Sequence, residues 1–308
     1  MALPSSGPIS MAMIQAEFGG ANPISLSEYY KGGAYVTGTD YAPNVPTSGT
    51  ISLSDFYSAK KNSLQTIEFT TVGTTAYTIP STLTGAITYL IVGGGGGGSN
   101  AQPGADEGGG GGGAGGVINR PGSFVPGETI TVTVGNGGGL EANGSDTTLT
   151  CSLGTITALG GGGGKGSTGA NGGSGGGAGG AGGFHNGGAG LQPTLGGLDN
   201  GLGNNGGACP QSDNFPGGGG GGAGGPGGFG GSNNGGAPIA NPISGSTVGY
   251  NISGTYYVGG GGSGRYIGQP HLTYTAGSGY GGDGSWGYPS KANGTPGASG
   301  CVIIQGYW

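Results

Sequence analysis

The feature that most restricts the fold is a three-residue rhythm within long glycine tracts. In GGGGGGAGGPGGFGGSNNGG (217–236) the first residues that are not glycine are Ala223, Pro226, Phe229 and Ser232, three apart each time. In GGGGGKGSTGANGGSGGGAGGAGGF (160–184), Lys165, Thr168, Asn171 and Ser174 share one phase. After a one-residue slip Ala178, Ala181 and Phe184 share the next. Collagen has one glycine per triplet, whereas these tracts mostly have two. A polyproline-II-type helix has three residues per turn and no internal hydrogen bonds. Once buried, its backbone groups must find partners on other segments. Without Cβ atoms such helices can lie side by side and bond to one another. Triplets of the form Gly-Gly-X then pack on two faces and show X on the third. The all-glycine runs 93–98 and 108–113 can be surrounded on every side. The reading is an ordered polyglycine-II helix bundle and not a flexible linker. Ordering each glycine costs about 0.5–1 kcal/mol relative to alanine. Hydrogen bonds between tracts, at about 1 kcal/mol net each, must offset that.

Around the tracts the sequence reads as β. LQTIEFTTVG, TTAYTIP, AITYLIVG, ETITVTVGNGG, DTTLTCSLG and TITALG are rich in Val, Ile, Thr and Tyr and punctuated by turn residues. The chain closes on another apolar strand, ASGCVIIQGYW. A first strand near residue 67 and a last near residue 303 place both ends of this body in one β unit, with the glycine tracts as insertions projecting from it. The β layer is expected over about 64–160 and 301–308.

The first 62 residues differ in character. GPISMAMIQAEF (7–18), NPISLSEYYKG (22–32) and TSGTISLSDFYSA (47–59) each carry Ile-Ser: Ile9-Ser10, Ile24-Ser25 and Ile51-Ser52. Serine is a favoured helix N-cap. Glu28 and Asp55 stand three residues after their serines, as in a capping box. Ile14, Tyr29 and Phe56 stand four after, at the spacing of a hydrophobic staple with the preceding isoleucine. Short stapled helices of two or three turns are marginal alone. Two readings stand: a self-contained cap, or a module that completes its core against another protein. The second is preferred, with Ile9, Ile14, Ile24, Leu26, Tyr29, Ile51, Leu53 and Phe56 as candidate attachment residues. The resulting division is 1–62, an N-terminal attachment module, and 63–308, a glycine-rich body.

Glycine makes up 90 of the 308 residues, charged residues are 6% and the net charge is −6. With seven Lys and Arg there is no basic stripe for nucleic acid or an anionic membrane surface. No targeting segment is legible, and no apolar run reaches membrane-spanning length. Cys151, Cys209 and Cys301 are too scattered for a disulfide framework or a zinc site and read as free thiols of a protein made in a reducing cytoplasm. GGGGGKGST (160–168) resembles a phosphate loop, but Gly166 separates Lys165 from the hydroxyl such a loop needs directly after the lysine. His185 and His271 form no metal motif, Asp106 and Glu107 lack EF-hand spacing, and no catalytic constellation is present. The expectation is a non-enzyme with no cofactor and no metal.

Loops bearing side chains interrupt the tracts: 99–107, 184–216, 232–251, 265–275 and 280–296. Rods of similar length gather such loops at the bundle ends, and loops on a rigid scaffold commonly carry binding. The candidate receptor-binding residues are Phe184, His185, Asn186, Tyr266, His271, Tyr274, Trp286 and Tyr288 on glycine-bounded turns. Aromatic faces with few charges suit a glycan or a protein loop.

PISLSEYYKGG and TSGTISLSDFY resemble the opening segments of tailed-bacteriophage virion and tail-fibre proteins. EFTTVGTTAYTIP, ITYLIVGGGGGG, ETITVTVGNGG, TALGGGGG and SGCVIIQGYW resemble the glycine-rich domain found in phage tail-fibre and surface proteins. The resemblance implies a virion structural protein, made in the host cytoplasm and exposed on the particle. Its partners would be other virion proteins through residues 1–62 and a host-surface glycan or outer-membrane protein through the loops. Homo-oligomerisation is left open. The alternatives are a purely structural connector, baseplate part or head decoration, and an ice-binding polyglycine protein. The last would need a flat, regular threonine array, and none is legible. The expected fold class is mainly β with a polyglycine-II bundle and a small N-terminal module of stapled helices.

Overall fold

The computed structural model describes residues 2–100, 108–180, 183–210, 217–229, 232–264, 277–285 and 293–308. Each Ile-Ser pair heads a helical turn: α1 (Met11–Phe18) and two 3-10 turns, Leu26–Glu28 and Leu53–Phe56. Ser10 Oγ accepts from the Met13 N–H at 3.4 Å. Glu28 and Asp55 reach back to the N–H groups of Ser25 and Ser52 at 3.4 and 2.8 Å. Only α1 exceeds a single turn, against the two or three expected of each copy. The other two end at or beside Tyr29 and Phe56. Together with Ile14 they are fully buried in one cluster, and the Phe56 ring meets Tyr29 and Phe18 edge-on at 6.3 Å each. Ile9, Ile24, Leu26, Ile51 and Leu53 pack around them.

The protein is mainly β, in antiparallel sheets. The first sheet is ordered β1-β11-β3-β4, from Leu64–Phe69, Cys301–Tyr307, Thr84–Val92 and Val117–Gly122. Ile67 stands opposite Ile304, so the two ends of the body do share one sheet. The second sheet is β2-β5-β6-β7, from Gly73–Thr78, Thr129–Val134, Thr147–Cys151 and Gly154–Ala158. Side chains alternate along a strand. Ile87, Tyr89 and Ile91 of β3 and Val302 and Ile304 of β11 therefore face Ile130, Val132, Leu149 and Ile156 of the second sheet. The intervening Leu90, Val92, Cys301 and Ile303 face the other way, into a second core with Ile243, Val248 and Val258. Both faces of the first sheet are covered, which is why ITYLIV and CVII run apolar without alternation.

Two segments differ from expectation. VINRPG, not singled out as a strand, forms β4 because its register with β3 continues that of the core strands. The stretch 232–251, expected as an end loop, contributes β8 (Ile239–Ala240) and β9 (Tyr250–Ile252). These pair with β10 (Thr255–Val258) in a third sheet that covers the second core.

The glycine tracts continue directly from these strands and are buried. In tract 93–99, Gly93, Gly96 and Ser99 donate to the carbonyls of Gly116, Gly113 and Gly110. Gly94 and Gly97 donate to Ser145 and Ala142, and Gly95 and Gly98 to Ala298 and Thr295, all at 2.8–3.0 Å. In tract 108–116 the N–H groups turn in the same three-step order to 279–285, 159–165 and 218–221. Its own carbonyls receive bonds from 93–99, 174–180 and Gly262. Successive amides thus point to different neighbours and return to the first after three residues.

Among the described residues the outward phase inferred for non-glycine residues fails at three positions. Ser174, Ala178 and Ala223 are buried, Ala223 against the second core. Each is small enough to stand where a neighbouring backbone leaves a gap, and triplet phase alone does not distinguish such a gap from solvent.

The absent threonine array also needs correcting. Register brings Thr74, Thr133, Thr148 and Thr157 into one row across the second sheet, and Thr131, Thr150 and Thr155 into the next. No single segment displays this, since each contributes only alternate threonines. Adjacent strands twist by about 20–25°, so the rows fan out, and an ice surface, which needs a flat lattice, gains no support from them.

A matched pair of substitutions tests the packing. A methyl group added at Gly111 would sit well inside contact with the Gly262 carbonyl, whereas at Gly139 it meets nothing within 4 Å. Gly111→Ala is expected to destabilise by about 1–3 kcal/mol or more, and Gly139→Ala to be neutral or stabilising by a few tenths. Thermal or urea unfolding of the two variants reads the difference, and equal tolerance would contradict the packing.

Candidate functional site

The topology gives the molecule two unlike ends. Val92 of β3 pairs with Val117 of β4 and Cys301 of β11, so the tracts that follow β3 and precede β4 and β11 leave one end of that sheet. The tracts after β5 and β7 leave the second sheet beside the Thr147 end of β6. At the opposite end the Asn62 side chain donates to the carbonyls of Thr82 and Tyr307 and to Thr84 Oγ1, at 2.8, 3.4 and 3.0 Å, joining the N-terminal segment to the sheet. The buried Asp40 carboxylate accepts from the N–H groups of Asn62 and Thr37 at 2.9 and 2.7 Å and secures the same joint.

The far ends of the tracts are tied to one another laterally. Ser99 N–H donates to Gly110 at 3.0 Å, Gly109 to Ser285 at 2.6 Å and Ser285 to Ser99 at 2.9 Å. Gly180 donates to Gly108, Gly284 to Ser263 and Gly264 to Asn233, at 3.2, 2.9 and 2.8 Å. Side chains on the turns near this end stand on a laterally hydrogen-bonded backbone.

Of the candidate receptor-binding residues, the described ones are consecutive. Phe184 is 54% exposed. His185 is half-buried and fixed by a reciprocal pair with Cys209, N–H to carbonyl, at 3.1 and 2.9 Å. Asn186 is exposed, and its carbonyl accepts from the Gly169 N–H at 3.0 Å. Tyr266, His271, Tyr274, Trp286 and Tyr288 lie outside the described residues, as do Asp106 and Glu107. Phe229, 51% exposed, and Leu140, 42% exposed, were not among the candidates. The signal for Phe229 was on the page, as the last bulky residue of its triplet series.

The phosphate-loop lookalike is otherwise engaged. The N–H groups of Gly161, Gly162, Gly164 and Lys165 donate to carbonyls of Gly94, Ser174, Gly97 and Gly177, and Lys165 Nζ donates to the Glu141 carbonyl. These four amides are not available to cradle an anion. Among the described residues no group of His, Cys, Asp and Glu is placed to hold a metal ion. None of the three cysteines is in a disulfide, and burial pushes the thiols of Cys151 and Cys301 up.

The candidate attachment residues divide by depth. Ile14, Tyr29 and Phe56 are buried in the chain's own core and have no surface for a partner. Ile9, Ile24, Leu26, Ile51 and Leu53 are half-exposed around it. Beside them a mostly apolar notch of about 290 Å³ is lined by Ala2, Leu3, Pro4, Met13, Ala16 and Glu17.

Compared with known families, residues 70–307 match the profile of a glycine-rich domain. No curated protein matches the chain.

Phe184 and Phe229 project from turns and are more than half exposed, so replacing both with Ser is expected to shift folding stability by no more than about 0.5 kcal/mol each. A larger loss in thermal unfolding would show that they pack inward.

Proposed function

The chain belongs to the glycine-rich domain family, and we propose that it is a phage virion structural protein: a tail-fibre tip that joins the particle through residues 1–62 and binds a host-surface receptor through loops of the body. The observation that carries this reading is the polarity of the molecule. Side-chain-dense, capped segments stand at one end of the β layer, and laterally tied glycine tracts bearing exposed aromatic turns extend from the other. The resemblance of PISLSEYYKGG and TSGTISLSDFY to tail-fibre openings supports the same assignment.

In this reading the tracts form a polyglycine-II helix bundle. The three-step rotation of their amides among neighbouring tracts supports it, because a helix with three residues per turn presents every third amide to the same side. The bundle serves as a stiff, nearly uncharged mast. The half-exposed ring of Ile9, Ile24, Leu26, Ile51 and Leu53, with the apolar notch beside α1, is the surface offered to the particle. Phe184, His185 and Asn186, with Phe229, form the receptor face among the described residues. Uncharged aromatic turns favour a neutral glycan or a protein loop over a phosphate-rich target. Several copies on one particle would raise avidity without new contacts.

Deleting residues 1–62 is expected to leave a folded body that no longer joins the particle, read by thermal unfolding and by quantifying the protein in purified virions. Normal incorporation would remove the attachment assignment. Phe184→Ser with Phe229→Ser is expected to leave incorporation intact and to lower adsorption to host cells or shift host range. Unchanged adsorption across these and the remaining loop substitutions would favour a purely structural virion component.

A further inference from the structure

The two outer strands of the second sheet are treated very differently. Along β2 and β5 the Ile79 N–H bonds the Glu128 carbonyl at 2.8 Å, one position beyond the Thr78–Thr129 pair. Bonded and non-bonded positions alternate in an antiparallel ladder, so the bonded positions of β2 are Gly73, Thr75 and Tyr77. Thr74 and Thr78 are non-bonded positions, where side chains approach most closely. Their hydroxyls accordingly meet those of Thr133 and Thr129 at 3.0 and 3.1 Å. The backbone N–H and C=O groups of Thr74, Ala76 and Thr78 therefore point away from β5, out of the sheet.

At the opposite edge Thr157 of β7 has the same parity, and there the outward groups are covered. Its N–H donates to Asp199 Oδ1 at 2.7 Å and its carbonyl accepts from Gln192 Nε2 at 3.3 Å. The Leu159 N–H donates to Gln192 Oε1 at 2.7 Å. Arg120 holds this strap in place through the carbonyls of Gly197 and Asn200, at 2.8 Å each. Segment 191–202, which reads in sequence as a loop, is an edge seal.

Nothing comparable covers β2. Among the described residues no group bonds the outward amides of Thr74, Ala76 and Thr78, and all three residues are exposed. GTTAYT has no charge and no proline, and its register with β5 is unbroken. Charge, proline and bulges are the usual devices that keep an edge from pairing; Thr74 to Thr78 has none of them, and Pro80, at the next outward position, ends the edge.

We infer that β2 is a pairing edge whose partner is β2 of a second copy of this chain, joined antiparallel about a twofold axis at Ala76. The twofold places Thr74 opposite Thr78 of the other copy and Ala76 opposite itself. Every outward N–H then faces an outward carbonyl, as an isologous interface requires. The two second sheets fuse into one continuous sheet, and their outer threonine rows run on across the junction. The partner is inverted, so the dimer carries an N-terminal segment and a set of tract ends at each extremity. This inference stands on the edge geometry and concerns the free chain; the inverted pair lacks the single polarity of the proposed particle-bound form, so the two arrangements are mutually exclusive.

The test uses the full chain and analytical ultracentrifugation, with thermal unfolding as the check on folding. The unmodified chain is expected to self-associate to a dimer. Ala76→Lys and Ala76→Glu each place like charges face to face across the axis, and each is expected to weaken the dimer by about tenfold or more. An equimolar mixture of the two is expected to re-form a dimer containing one copy of each. Ala76→Pro, which removes an outward N–H that no intrachain bond uses, is expected to remain folded and monomeric. Ala76→Thr is expected to retain the dimer. A monomer at every concentration of the unmodified chain would overturn the inference, as would a dimer indifferent to Ala76→Lys.

Discussion

The glycine-rich interior of this fold depends on the lateral hydrogen bond between two backbones that carry no Cβ. A methyl group almost anywhere along 93–98 or 109–113 would fall on a neighbouring carbonyl. The chain has placed glycine at nearly every position where a neighbouring tract passes. Ordering those residues costs about 0.5–1 kcal/mol each, and each lateral bond returns about 1 kcal/mol net. The margin is thin, so the tracts need an anchor that does not depend on them.

The sheets provide that anchor. β3, β4 and β11 are covered on both faces, and the tracts are their direct continuations, so each tract enters the packed region with its direction and neighbours already set. Gly93 bonds Gly116 immediately beyond the Val92–Val117 pair, as if the ladder continued for one more step before the amides begin to rotate among other neighbours. The hydrophobic sandwich sets register, and the glycine tracts carry that register outward without a hydrophobic core of their own.

Much of this was legible in the sequence because it is local or periodic. The strands declared themselves by Val, Ile and Thr content, and the pairing of the first with the last followed from their apolar character. The caps at Ser10, Ser25 and Ser52 were visible in residue spacing. What stayed hidden depends on register between distant segments. VINRPG has an Arg and a Pro and looks like a loop until β3 is laid beside it. Gln192 and Asp199 look like ordinary loop polar residues until the free groups of Thr157 are known. Ala223 and Phe229 occupy the same triplet phase, yet one packs on Val258 and the other faces solvent. Of the candidate turns, bounded by glycine in sequence, the described residues include 184–186, where Phe184 is exposed. Which turns share a surface is a property of the packing.

Residue-resolved amide hydrogen exchange tests the central claim most directly. If lateral backbone bonds hold the interior, the amides of 93–99, 109–116 and 173–178 will exchange as slowly as those of β3 and β11, although they carry almost no side chains. Exchange of those glycines at the rate of an unstructured chain, with the sheets still protected, would contradict it and leave the tracts as tethers hung from a β sandwich.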